Sequence, residues 1–306
     1  MTHEAAYRVL SYEFRVVTDV PEMGRYVKRI LAPFVVDEAT DGAKLGPEVV
    51  LYELGWDPTD SSTPYRLTCD GDWLIGREQP GPTLDYLFWH VNLQTIAHAR
   101  DVVLVHAGAV EAPNGRGVIL PAASGSGKTT LVAGLVRAGC GYLSDEAAVI
   151  DPTDLRLHPL PKALTVKKGG RDLLAPLRPS EEDLGFVEGR WHLHLSDDAE
   201  RSPVGACDVD MVIFPQYVPS AATELRSVDP VEVCLRLAKN AMNLRGRANL
   251  VLPVLGRLSE ATAGFELIAG DLDAAVAAVM ATVAGRSAEP GPGDPLRATR
   301  RKRAGA

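Results

Sequence analysis

The chain of 306 residues carries only four cysteines, Cys69, Cys140, Cys207 and Cys234, and no two of them form a CxxC pair. That scarcity argues against a zinc knuckle and a disulfide framework, and it suits a reducing cytosol. Long apolar runs are lacking too. The strongly apolar stretch near the C-terminus, AAVAAVMATVAG (274–285), falls short of the ~20 residues that span a bilayer, so no membrane partner is expected. Positive charge is in deficit: 32 Lys and Arg stand against 40 Asp and Glu, a net charge of −8. Nucleic-acid and membrane-surface proteins normally carry the opposite sign, so no nucleic-acid partner is expected either. The opening MTHEAAYRVLSYEFRV is charged and alternating and does not read as a signal peptide. Apolar residues at 46% and charged residues at 24% exclude wholesale disorder. The composition therefore predicts a soluble, cytoplasmic protein of one large or two modest domains.

Three regions differ in texture. Residues 1–100 read as a small α+β unit, with strands over YRVLSYEFRVV (7–17), VVLYEL (49–54) and YRLTC (65–69), and a turn at Asp70-Gly71. Helices are predicted over 21–31 and 82–99, the latter because Leu84, Leu87, Phe88, Val91 and Thr95 recur at helical intervals. Residues 101–285 alternate strands with helices, the pattern of an α/β sheet. VVLVHAGAV (102–110) and VILPA (118–122) read as a hairpin around an Asn-Gly turn. A helix follows at 131–139, then the short strand YLS, a strand at 210–215, a helix at 231–243 and another within GDLDAAVAAVMATV. Residues 286–306 read as a disordered basic tail, with Arg297, Arg300, Arg301, Lys302 and Arg303 clustered in it.

The most informative segment is Ala122-Ala123-Ser124-Gly125-Ser126-Gly127-Lys128-Thr129-Thr130. A phosphate loop needs small residues, so that successive backbone N–H groups curl around an anion. It needs a lysine for the β- and γ-phosphates and a hydroxyl for Mg²⁺. A helix must start behind it, with its positive dipole end toward the phosphate. All are present in order, which makes Ser124, Gly125, Ser126, Gly127, Lys128, Thr129 and Thr130 the expected ATP-binding residues. The one departure is Ala122, where the usual pattern opens with Gly. No NKxD motif, LSGGQ-like signature or HRD/DFG set accompanies the loop, which argues against a GTPase, a transporter ATPase and a eukaryotic-type protein kinase.

Seventeen residues after Lys128 comes the acidic pair Asp145-Glu146. One helix and a turn fit that spacing, so Asp145 is expected at the end of the strand next to the loop. A carboxylate there can hold Mg²⁺ together with Thr129 or take a proton from an attacking hydroxyl. His106, on the strand before the loop strand, is expected near the Asp145 carboxylate, where it would tune its pKa.

The order VLVHAGAV, short turn, VILPAASGSGKTTLVAGLVRAG, YLSDEAAVID resembles the C-terminal catalytic domain of the bacterial HPr kinase/phosphorylase family. It is more similar still to the HPr-kinase-related proteins, which include kinases that tailor lasso peptides. The resemblance is strong over about 101–165. It implies a P-loop kinase core of the HPr kinase type, with Asp145 as general base for a serine hydroxyl, assisted by His106. Thr129 and Glu146 would help hold the metal, and a homo-oligomer is compatible with it. The acidic pair is Asp-Glu where HPr kinases have Asp-Asp, and VEGRWHLHL (187–195) only faintly echoes their HPr-binding signature.

Weaker signals remain. Lys162, Lys167, Lys168 and Arg171 either neutralise phosphate or hold an acidic acceptor, or they form a solvated basic turn. His192 and His194 lie two apart but lack further metal ligands nearby in sequence. Three functions stay open: a kinase acting on a peptide or protein serine, a small-molecule kinase with the same core, and a non-catalytic ATP-dependent binding module.

Overall fold

The computed structural model describes residues 3–36, 45–46, 48–123, 125–167, 190–193 and 205–287. The first unit runs β1 (His3–Val9), β2 (Tyr12–Thr18), α1 (Pro21–Ile30), a 3-10 turn (Ala32–Phe34), β3 (Val50–Trp56), β4 (Tyr65–Cys69), β5 (Asp72–Arg77) and α2 (Pro80–His98). Its five strands lie in sequence order, β2 and β3 parallel and the other pairs antiparallel. The alternating run 7–17, expected as one strand, is instead a hairpin that turns at Leu10 with a φ of +54°. No Gly or Asn marks that turn, and the alternation continues across it, so the pattern gave no sign of the break. The helical periodicities hold: Met23, Tyr26, Val27 and Ile30 of α1 and Leu84, Leu87 and Val91 of α2 are buried.

The second unit continues with β6 (Val103–Val105), β7 (Ala107–Glu111), β8 (Gly117–Pro121), α3 (Lys128–Arg137), β9 (Gly141–Ser144), β10 (Ala148–Ile150) and β11 (Leu157–His158). Then come β12 (Leu164–Lys167), β13 (Arg190–Leu193), β14 (Val209–Tyr217), β15 (Glu224–Val228), α4 (Pro230–Asn240), α5 (Ala248–Ala261), β16 (Ala263–Ala269) and α6 (Leu272–Ser287). The main sheet has the order β15-β16-β14-β8-β7-β9, with β8, β14 and β16 parallel at its centre. β8 is apolar and buried along its whole length, as a central strand covered on both faces must be. Its alternation assigns the faces. Val118 and Leu120 pack with Met211 and Ile213 against α3 and α6, whereas Ile119 packs with Val212 and Phe214 against α4 and α5. The molecule is thus a mixed α/β protein with helices on both faces of its main sheet.

The predicted first strand of the hairpin, 102–110, divides at His106. β6 joins β10 and β11 in a small antiparallel sheet, while β7 pairs with β8 and β9. The expected boundary near residue 100 does not divide the packing: Leu104, Ala147, Val149 and Leu160 share one apolar cluster with Phe14, Tyr52, Leu84 and Leu87. The first unit is seated on the second by a continuous core. Among the described residues no helix is long and apolar enough to cross a membrane. The basic cluster of the tail lies outside the described residues.

α3 packs closely on β7 because position 108 is glycine. A Cβ there would stand 2.4 Å from Val132 Cγ2. Gly108→Ala is expected to destabilise the protein by ~1–3 kcal/mol, the usual cost of overpacking, read as a lower urea midpoint. An unchanged midpoint would show that α3 moves away at no cost.

Candidate functional site

β8 delivers the chain into the loop, and α3 begins at Lys128 immediately behind it. Gly125 and Gly127 have φ of +90° and +88°, a region that L side chains rarely adopt. Ala122 is buried and has no positive φ, so the usual glycine is not required there by backbone conformation. Gly127 is the N-cap of α3, and no side chain caps the helix, leaving its first amides directed at the loop. Ser126 is fastened by Tyr217 N–H donating to its carbonyl at 3.1 Å. Ser126 Oγ itself is buried with no hydrogen-bond partner among the described residues, an arrangement that costs free energy unless a ligand supplies the partner. Ser124 lies outside the described residues.

A cavity of about 480 Å³ opens on one side of the loop, lined among others by Gly125, Ser126, Gly127, Thr130, Tyr217, Asp271 and Asp273. Tyr217, which also lines the cavity, is 56% exposed. Its Cβ would be 3.4 Å from a Cβ at position 127, so the end of β14 and the loop form one wall. Sequence reasoning missed Tyr217, because only the parallel pairing of β14 with β8 brings it to the loop.

Asp145 follows β9, which is separated from the loop strand β8 by β7. Asp145 nonetheless reaches the loop residues, at a strand end beside the loop as expected. Thr129 Oγ1 donates to Asp145 Oδ2 at 2.8 Å. Lys128 Nζ donates to the Asp145 carbonyl and lies 3.4 Å from Asp145 Oδ1. Burial pushes the Asp145 carboxyl above the ordinary Asp value, against the opposing pull of Lys128 and Thr129. A base raised in this way is better matched to neutral pH than a free aspartate.

The next residue turns elsewhere. Glu146 Oε1 accepts from Asn92 Nδ2 at 3.2 Å. His106 Nδ1 lies 3.0 Å from the Glu146 carbonyl and 3.9 Å from its carboxylate. One expectation changes accordingly: His106 meets Glu146 rather than the Asp145 carboxylate, while Thr129 is bonded to Asp145. The chain turns after β9, which sends the two neighbouring carboxylates to different partners.

Asp145 and Glu146 both line a second cavity of about 310 Å³ between the two units. Its walls include Ile30, Leu31 and Phe34 from the α1 end, Phe88, Trp89 and Asn92 from α2, and Lys162. Lys162 Nζ donates to Asn92 Oδ1. Desolvation pulls its pKa down to about 8, while Glu146 pulls the other way. Lys162 thus serves an internal network rather than a solvated basic turn. Lys168 and Arg171 lie outside the described residues, and of Lys167 only the backbone position in β12 is described. His192 is buried, with Nδ1 on the Tyr26 hydroxyl, and His194 lies outside the described residues. Among the described residues no cluster of three or more His, Cys, Asp or Glu side chains is placed to hold a metal ion.

No protein-family model matches the chain, and no curated protein does.

Proposed function

We propose that the protein is an ATP-dependent kinase that transfers the γ-phosphoryl group to the serine hydroxyl of a peptide or protein. The observation that carries this reading is the position of Asp145. Its carboxylate is bonded to the loop residue Thr129 and at the same time lines the second cavity. A group so placed faces a nucleotide on one side and an acceptor on the other.

In this reading the triphosphate lies along Gly125–Thr130, with the nucleoside in the cavity beside Tyr217. The loop amides and Ser126 Oγ meet phosphate oxygens, and Lys128 leaves the Asp145 carbonyl to meet the β- and γ-phosphates. Thr129 and Asp145 present a hydroxyl and a carboxylate 2.8 Å apart, oxygen donors of the kind that Mg²⁺ takes alongside waters and phosphates. Bound there, the ion would neutralise charge on the phosphates. Asp145 takes the proton from the acceptor hydroxyl, whose oxygen then forms the new bond to phosphorus as the bond to ADP breaks. Positioning and fixed charge carry such a transfer. Glu146, Asn92, Lys162 and His106 belong to the acceptor side.

Transfer of labelled γ-phosphate from MgATP into a lysate of the source organism tests the reading. Label in a discrete peptide or protein band supports it. Label confined to low-mass material would instead assign a small-molecule kinase, and ATP binding without transfer a non-catalytic module.

The nucleoside placement has its own test. Tyr217→Ala is expected to weaken ATP binding about tenfold, within the ~1–3 kcal/mol that a base–aromatic stack contributes. It should leave the affinity for inorganic tripolyphosphate unchanged. Calorimetric titration with both ligands separates the two. An equal loss for both would place Tyr217 in loop support rather than base recognition.

A further inference from the structure

The first hundred residues carry no motif of their own, yet they supply most of the walls of the cleft that Asp145 faces. Ile30, Leu31 and Phe34 come from α1 and the 3-10 turn after it, and Phe88, Trp89 and Asn92 from α2. The continuous core beneath, joining Leu84, Leu87 and Val91 to Leu104, Ala147 and Leu160, fixes these walls relative to the acidic pair. At about 310 Å³ the cleft holds a residue or two of extended chain, not a folded domain. Trp89 is 55% exposed, so the cleft reaches the surface along the α2 wall.

Two features select among acceptors. The first is charge. Among the described residues the cleft is lined by the carboxylates of Asp145 and Glu146 and by Lys162, which is already engaged by Asn92 and faces Glu146. An acidic acceptor would meet repulsion there, whereas a neutral or basic one would not. The second is the apolar wall. A sugar or other polyol would set most of its hydroxyls against Leu31, Phe34, Phe88 and Trp89, where they would lose their water partners without gaining others. A single hydroxyl at Asp145 followed by an apolar side chain satisfies both.

Resting on the kinase reading above, we propose that the N-terminal unit is the acceptor-binding half of the site, and that it selects a serine in an extended peptide whose neighbouring residue is apolar and whose flanks are not acidic. Asn92 and Lys162 are positioning residues in this account: they hold Glu146 at the cleft floor. Trp89 is the specificity residue, because it stands at the surface end of the apolar wall.

The test uses the full-length protein, labelled MgATP and an array of synthetic peptides. Each peptide has one central serine, and the two flanking positions are varied through all residues. Binding of MgATP is measured separately by calorimetry. The wild-type protein should label peptides with Leu, Ile, Phe or Trp beside the serine in preference to those with Ser or Gly, and acidic flanks should be the poorest. Trp89→Ala, at a position 55% exposed, should raise KM for the preferred peptides about tenfold with kcat and ATP affinity unchanged. It should also flatten the flank preference. A uniform loss across all peptides would mark a merely structural role and overturn the proposal. So would an acidic preference, labelling of low-mass alcohols only, or an unlabelled array from a protein that binds MgATP. A wild-type protein that does not bind MgATP at all would instead remove the kinase reading itself.

Discussion

Lys128→Ala is expected to abolish measurable phosphoryl transfer, with a loss of at least about 10²–10³-fold, the scale seen when one donor to a developing charge is removed. Lys128 follows Gly125 and Gly127, both at positive φ, in the spacing of a backbone-lined anion loop. In the structure its ammonium sits at the start of α3, bonded to the Asp145 carbonyl and 3.4 Å from the carboxylate. The ammonium is therefore in direct reach of both the loop and the carboxylate. Removing it also leaves a buried carboxylate without its counter-charge, which is itself costly. A thermal melt must accompany the assay for that reason. A folded Lys128→Ala protein that retains substantial transfer would sink the assignment of the loop as the site. Lys128→Met, which keeps the apolar stem, should be equally inactive and closer to wild type in stability.

Asp145→Asn separates two roles that one carboxylate can play. As the base that accepts the acceptor's proton, it should lose transfer by about 10²–10⁴-fold, with a much smaller loss of MgATP affinity from its share in the metal site beside Thr129. Collapse of MgATP affinity, read by the same titration, would make Asp145 chiefly a metal ligand alongside Thr129. Stability gives an independent reading. The folded-state pKa of Asp145 is raised above its ordinary value, so folding favours the protonated form. The contribution of this group to stability is therefore greatest below the ordinary Asp value and declines as pH rises through the folded value. At neutral pH the wild-type protein bears the cost of a buried charge that the asparagine protein does not. The Asn variant should melt no lower than wild type at pH 7, and its advantage should shrink in acid. A clearly lower melting point at pH 7 would show that the bonds to Lys128 and Thr129 outweigh the desolvation.

Much of this arrangement was legible in the sequence, and the rest was hidden for identifiable reasons. The loop and its helix were readable because each part is local: two glycines, a lysine and a hydroxyl in register, between an apolar run and a helical one. β8 and α3 follow directly. Asp145 was legible as a residue beside the loop, but not that its strand β9 lies beside β7 rather than β8. Strand order is a tertiary fact, and a helix and a turn can lead back to either side. Neighbouring residues at a strand end can also diverge, which is why Thr129 meets Asp145 while His106 meets Glu146.

The helix α5 was missed because Pro253 lies within it and proline normally breaks the pattern. Asn92 and Trp89 read only as residues of an amphipathic helix. The second role proposed for them depends on the first unit resting on the second through Leu104, Ala147, Val149 and Leu160. No local pattern records that. Lys162 sat in a basic-looking stretch, and only its bond to Asn92 distinguishes it from a solvated lysine.

In the proposed reading Asp145 stands between a nucleotide in the loop and an acceptor in the cleft beneath the N-terminal unit. The measurement that tests it most directly is a crystal structure with Mg²⁺ and a non-hydrolysable ATP analogue. The account predicts the triphosphate along Gly125–Thr130, the nucleoside against Tyr217, Lys128 turned from the Asp145 carbonyl onto phosphate, and the terminal phosphate facing the cleft lined by Phe34 and Trp89. A terminal phosphate directed away from that cleft, or an analogue bound elsewhere with Lys128 still on Asp145, would contradict it.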